Sequence, residues 1–337
     1  MAEEVEVISR LPRIRTPKTS YTFDYPEAIE FAEAQEQIFW TAGEISVDKD
    51  IQDMRVNLSE SEAHGVTTVL KLFTLYELVA GKDYWLDRVM RRFPRPDIQR
   101  MATTFGFFEL NVHAPFYNKI NEALMLNTDE FYNSYIKDEE LSSRMKFIGD
   151  MVSEEDDLLS LATFSLIEGV LLYSSFAFIK SFQTQGNNSL LNVVRGINFS
   201  VRDENLHSVG GAWLFSTLRK ETLEINPKYD TTFLNERIIK AVEIMVEHEE
   251  KILDKVFSSG EMPSIHKQDL LVFVKSRANL CLAQLGIKGQ PYQIEDNPVA
   301  KWFYRDINLT QFHDFFTGVG SGYNRDWDQS KFNWSTC

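Results

Sequence analysis

Four glutamates of this chain stand on helical faces that are otherwise apolar, and no fold buries them without also supplying positive charge. Glu77 continues the stripe Val66, Val69, Leu70, Phe73 and Ala80. Glu109 shares with His113 the face made by Phe105, Phe108, Val112 and Phe116. Glu168 sits in the middle of the apolar stretch Leu158 to Phe178, with no polar face to retreat to. Glu204 continues the stripe Val194, Ile197 and Val201, and His207 follows one turn later. A carboxylate driven into a core carries a large desolvation cost unless a cation meets it. Two histidines cannot compensate four such acids, whereas two divalent metal ions would neutralise them.

The rest of the pattern makes helices the vehicle. Glycine and proline are scarce, at 16 and 10 residues, and they cluster between long segments whose apolar residues recur at helical spacing. Breaks are expected at 92–96, 183–189, 226–232, 258–264 and 286–298. Ser59 with Glu62 three residues on is a capping-box signature at the head of the helix that carries Glu77. The stretch Leu158 to Phe178 is as long as the roughly 20 residues that cross a bilayer. A lone carboxylate at mid-bilayer is costly, and no second stretch of comparable length offers it a partner helix. A single helix buried on all sides within a soluble protein is therefore the expectation.

Charge and cysteine content narrow the function classes. The excess of 50 acidic over 35 basic residues, a net charge of -15, would repel a polyphosphate and argues against nucleic acid or anionic lipid as the principal partner. Two cysteines, Cys281 and Cys337, are too few for a disulfide framework and fit a reducing compartment. The segment Met1 to Pro17 holds no apolar run that would act as a signal peptide, and a cytoplasmic location is the simplest expectation.

The spacing of the acids and imidazoles is specific as a set. A Glu from each of two helices, with a Glu and a His about one turn apart from each of two others, is the ligand set of carboxylate-bridged di-iron and di-manganese bundles. Glu204-x-x-His207 has the i, i+3 spacing that puts both side chains on one face. Glu109 and His113 are spaced by four, and Leu110, three before His113, cannot bind metal. Four residues advance about 400° around a helix, so the pair still shares a face. Pro115 offers no N–H to the carbonyl of Asn111 and should distort that turn, where a local bulge would absorb the extra residue. His64, His248, His266 and His313 sit in polar surroundings or near segment ends, which fits surface or capping roles. Carboxylate and imidazole without thiolate suit iron or manganese and leave the choice between them open.

These residues resemble the radical-generating small subunit of class I ribonucleotide reductase. The resemblance runs from about Phe39 to Tyr323 and is carried by five places. They are Trp40 with Glu44-Ile-Ser-Val-Asp48, Leu75-Tyr-Glu77 followed by Gly81, Glu109 to Tyr117, Glu168 in its apolar helix, and Arg202-Asp-Glu-Asn-Leu-His207. It implies an all-α, ferritin-like helical bundle with additional helices over residues 21–316, an N-terminal extension at 1–20 and a flexible tail at 317–337. It also implies one metal ion held by Glu77, Glu109 and His113, and a second held by Glu168, Glu204 and His207, with carboxylates bridging. Tyr117, four residues after His113, matches the tyrosine that stores the radical. Trp40, Asp203 and His113 match the conduit by which the oxidising equivalent leaves. Asp203 has a rationale of its own, because a ligating imidazole usually donates its other N–H to a carboxylate or carbonyl. In the tail, Tyr323 matches the relay tyrosine, and Trp327, Phe332 and Trp334 are aromatic anchors of the kind that dock a partner. The chain departs from the family in placing Glu-x-x-x-His where Glu-x-x-His is usual and in carrying Pro115 between His113 and Tyr117.

The implied activity is shared between two proteins. A cluster of two iron ions, two manganese ions or one of each, oxidised by dioxygen or a reduced oxygen species, converts Tyr117 to a tyrosyl radical. This chain, as a homodimer, passes the radical to the large subunit, which reduces ribonucleoside diphosphates or triphosphates. A di-metal oxidase or desaturase acting on its own organic substrate would share the ligands without needing Trp40, Asp203 or an aromatic tail. A ferritin-like storage bundle would lack a tyrosine at position 117.

Overall fold

The computed structural model describes residues 11–184 and 186–309, and every regular element among them is helical. The principal helices are α1 (Pro26–Gln37), α2 (Glu60–Leu78), α3 (Pro96–Phe108), α4 (Ala114–Ala123), α5 (Glu139–Ser153), α6 (Asp157–Val170), α7 (Tyr173–Lys180), α8 (Leu191–Ile225), α9 (Thr231–Val256), α10 (Lys267–Gln284) and α11 (Pro298–Leu309). The expected capping box forms at the head of α2. Glu62 donates its backbone N–H to Ser59 Oγ at 3.3 Å, and Ser59 donates its own to the Glu62 carboxylate at 2.8 Å.

The expected breaks are all present. Further breaks at 124–138 and 154–156 contain neither glycine nor proline, so composition did not mark them. There, side chains start the next helix instead: Asp138 accepts from Leu141 N, and Asp156 accepts from Leu158 N and Leu159 N.

The apolar stretch corrects one expectation, because it is two helices and not one. α6 ends at Val170, Leu172 adopts a left-handed φ of 78°, and α7 restarts at Tyr173. The cause lies far away in sequence. Glu249 of α9, fully buried and paired with Arg144 of α5, accepts the backbone N–H of Leu172 at 3.4 Å and of Ser174 at 3.0 Å. A carboxylate there satisfies the orphan donors of α7 and complements its dipole, which offsets the strain at Leu172. Residues 157–182 are all buried within the protein.

α6 is the central element. It packs most extensively on α8 and also meets α5, α9 and α10, while α2 packs on α4 and α9. α8 begins at another left-handed residue, Leu190 (φ 57°), without a side-chain cap of its own. Two acids from the short helical segments at 48–57 serve instead: Asp53 accepts from Leu190 N at 2.8 Å, and Asp50 accepts from Val193 N at 2.6 Å. The register of the 35-residue α8 is thereby pinned at its start, one face of it toward α6.

Candidate metal centre

Each acid singled out in the sequence reaches the interior from a different element. Glu77 comes from the last turn of α2, Glu168 from α6, and Glu204 with His207 from the middle of α8. The extra residue between Glu109 and His113 is absorbed by a π-helical turn, Glu109–His113, set between α3 and α4. Pro115 stands in the first turn of α4 and cannot donate to Asn111, so the α-helical ladder is interrupted next to the widened turn. A second π-helical segment, Val79–Val89, follows Glu77. Its Gly81 permits the close approach of the Glu109 turn, since a Cβ at Gly81 would lie 2.8 Å from both Glu109 Cβ and Leu110 Cγ.

The six side chains meet in one place, and none is more than 1% exposed. Both imidazoles turn Nδ1 toward the carboxylates. His113 Nδ1 lies 3.1 Å from Glu109, 3.2 Å from Glu204 and 3.5 Å from Glu77. His207 Nδ1 lies 2.6 Å from Glu109 and 3.7 Å from Glu204. The ligand atoms form two overlapping groups, Glu77, Glu109, His113 and Glu204, and Glu109, Glu168, Glu204 and His207, each with its atoms within 4.8 Å of one another. Glu109 and Glu204 belong to both. Both oxygens of Glu77 and of Glu204, and one of Glu109, are buried without a hydrogen-bond donor. Buried oxygens so left are costly and rare, and this donor set fits two divalent cations.

The electrostatics express the same crowding. Burial first, then the proximity of Glu109, push the Glu77 carboxyl well above its ordinary range. Burial and then Glu204 do the same to Glu168. Glu109 is held below the usual carboxylate range, because burial is outweighed by His207 and by further contacts with Glu77 and His113. Burial lowers the two histidines, but Glu109 more than offsets it, so His113 is raised well above 6.5 and His207 is raised to about 9.

Around the six residues lies a shell that the sequence revealed only in part. Asp203 accepts from Trp40 Nε1 at 2.7 Å and pairs with His113 Nε2 at 3.1 Å, so Trp40, Asp203 and His113 form one hydrogen-bonded chain. Arg202 approaches Asp203 at 3.4 Å and donates to the Ile38 carbonyl at 2.6 Å. Tyr117 is fully buried, stacked on Phe73 at 4.6 Å, and its hydroxyl meets Ser200 Oγ at 2.8 Å. Tyr76 and Trp85 were not assigned roles from the sequence. Tyr76 donates to Glu168 Oε2 at 2.7 Å, and Trp85 Nε1 donates to Glu168 Oε1 at 3.0 Å. Tyr76 is adjacent to Glu77, but nothing in its local sequence points to Glu168, 92 residues away.

The other described histidines stay apart from the cluster. His64 Nε2 contacts the Lys255 carbonyl at 2.9 Å, and His266 stands at the N-cap position of α10. His248 departs from the expectation of polar surroundings: it is buried on α9 against the ring of Phe147 at 5.6 Å. Tyr323, His313 and the tail at 317–337 lie outside the described residues.

Comparison with known proteins gives a consistent result. The family model described as ribonucleotide reductase, small chain, matches residues 18–298. The chain is 27% identical over 294 residues to a ribonucleoside-diphosphate reductase subunit beta of Halalkalibacterium halodurans, covering 82% of this chain and 80% of that one. It is 24% identical over 321 residues to a probable ribonucleoside-diphosphate reductase small subunit of Invertebrate iridescent virus 3, covering 89% and 82%. Among solved structures, the dimanganese(II) NrdF of Streptococcus sanguinis superposes with a TM-score of 0.72 at 21% identity, covering 85% of this chain and 98% of that one. A putative class I ribonucleotide reductase of Bacillus halodurans gives 0.70 at 23% identity, covering 83% and 88%. At these identities the structural likeness establishes the fold, and the fold is the ferritin-like bundle that the resemblance implied.

Proposed function

The chain belongs to the ribonucleotide reductase small-chain family, and from that premise we propose that its six clustered side chains hold two transition-metal ions and that Tyr117 carries the radical. The oxidoreductase component is the small subunit, so the large subunit is its partner. The observation that carries the proposal is the pair of overlapping ligand groups sharing Glu109 and Glu204. Once bound, the ions supply the oxidising equivalent.

The chain's own residues have separable tasks in this reading. Glu77, Glu109, His113 and Glu204 would hold one ion, and Glu109, Glu168, Glu204 and His207 would hold the other. An imidazole that offers Nδ1 to a metal carries its proton on Nε2, and in His113 that N–H donates to Asp203, fixing the tautomer. Phe73, Phe105 and Phe116, all buried, keep water from the phenol and the carboxylates. Trp40 continues the hydrogen-bonded chain outward from Asp203. The relay to the large subunit, which reduces ribonucleoside diphosphates, the substrate named for the relatives, falls to Tyr323. A homodimer in the cytoplasm, with iron, manganese or one of each as the metal, completes the proposal. The family match weighs against an oxidase acting on its own substrate.

Reconstitution in air with metal analysis and electron paramagnetic resonance tests the centre. The wild-type protein is expected to take up two ions per chain and to show a tyrosyl signal. Tyr117→Phe should retain the ions and lose the signal, and a full radical signal in that variant overturns the assignment. Truncation after Gly322 should leave metal uptake unchanged while abolishing binding to the large subunit.

A further inference from the structure

The hydroxyl of Tyr117 has a single described hydrogen-bond partner, Ser200 Oγ at 2.8 Å. Both residues are fully buried. The phenol is otherwise walled by aromatic rings, Phe73 stacked at 4.6 Å and Phe116 at 5.1 Å. Ser200 stands on α8 four residues before Glu204, so its side chain projects from the face that meets the metal centre. A buried hydroxyl is costly unless it is hydrogen-bonded. The phenol and the serine remove that cost for each other.

We propose that Ser200 donates a hydrogen bond to the oxygen of the Tyr117 radical, and so acts as a positioning residue that tunes the radical. This rests on Tyr117 as the radical site. In the phenol state either hydroxyl serves as the donor. Loss of one electron and of the phenolic proton of Tyr117, which the metal centre would accept once loaded, would leave the Ser200 O–H bond intact. The oxygen that remains is an acceptor only. The contact with Ser200 Oγ then persists as a hydrogen bond with the serine as donor, a rotation about one bond that needs no movement of the backbone. In a pocket of phenylalanine rings, no other described group competes for that oxygen. A donor at this distance withdraws spin density from the oxygen and lowers the largest g-value of the radical relative to a free phenoxyl.

The test compares the wild-type holoprotein with Ser200→Ala by high-field electron paramagnetic resonance and electron–nuclear double resonance in H2O and D2O. The wild-type radical should show one exchangeable proton coupling. Ser200→Ala should lose that coupling and raise the largest g-value, with metal content unchanged. Ser200→Cys fills nearly the same space with a weak donor and should show a weakened coupling, which keeps the test decisive if the alanine variant fails to fold. A wild-type radical with no exchangeable coupling, or a coupling that survives Ser200→Ala, overturns the role of Ser200 alone. The absence of any Tyr117-dependent radical in the wild-type protein overturns both this inference and the reading it rests on.

Discussion

Loading the metal centre should release protons in a number that the geometry specifies. Ligand atoms of four carboxylates lie within 4.8 Å of one another in two overlapping groups. At that separation two like charges repel by about 3 kcal/mol at an effective dielectric near 20, which is about two pKa units per pair. The metal-free protein relieves this by holding protons. Glu77 and Glu168 are raised well above 4.5, His113 is raised well above 6.5, and His207 is raised to about 9. These shifts favour the protonated form of all four groups, whereas ligation requires ionised carboxylates and neutral imidazoles. Binding of two ions should therefore release protons, up to four per chain. Isothermal titration calorimetry with Mn(II) in buffers of different ionisation enthalpy counts them directly. The sign for stability follows from the same shifts. Between pH 4.5 and about 9 the folded metal-free chain keeps protons that the unfolded chain gives up, so its stability falls as pH rises. The stabilisation conferred by metal should grow over the same window. A release of one proton or fewer per chain, or a metal-free protein whose stability rises through that window, would refute the view that the carboxylates are mutually compressed.

Three further outcomes follow from particular contacts. Gly81→Ala places a Cβ 2.8 Å from Glu109 Cβ and Leu110 Cγ. It should cost about 1–3 kcal/mol by overpacking, visible in thermal unfolding, and should weaken metal uptake by displacing the Glu109 turn. Tyr76→Phe removes the 2.7 Å bond to Glu168 and should reduce Mn(II) affinity by roughly 10- to 100-fold without changing the two-ion stoichiometry, as titration with metal analysis would report. His248 is lowered to about 4, by burial first and then by Arg144. The unfolded chain takes up that proton below pH 6.5 and the folded chain does not, so stability is lost as pH falls from 6.5 to about 4. Allowing for partial solvent screening, the loss is about 2 kcal/mol. His248→Phe should flatten the difference in unfolding free energy between pH 7 and pH 4 by that amount.

What the sequence by itself determined was the chemistry of the centre. A carboxylate on an apolar helical face declares a need for positive charge wherever the helix packs, so Glu77, Glu109, Glu168 and Glu204 were legible from periodicity alone. So were His207, through its i, i+3 spacing, and the disturbance between Glu109 and Pro115, because proline's missing N–H acts within one turn of its own position. Tertiary structure decided the remainder. That Glu109 and Glu204 are the shared carboxylates depends on how four helices converge. The split at Leu172 is imposed by Glu249 from another helix, and the left-handed start of α8 is satisfied by Asp50 and Asp53 from more than 130 residues away. Tyr76 and Trp85 on Glu168, and Ser200 on Tyr117, were likewise invisible along the chain, since each pairs groups more than 80 residues apart. Helical periodicity reports which face of a segment is buried, but it carries no information about which distant side chain that face will meet.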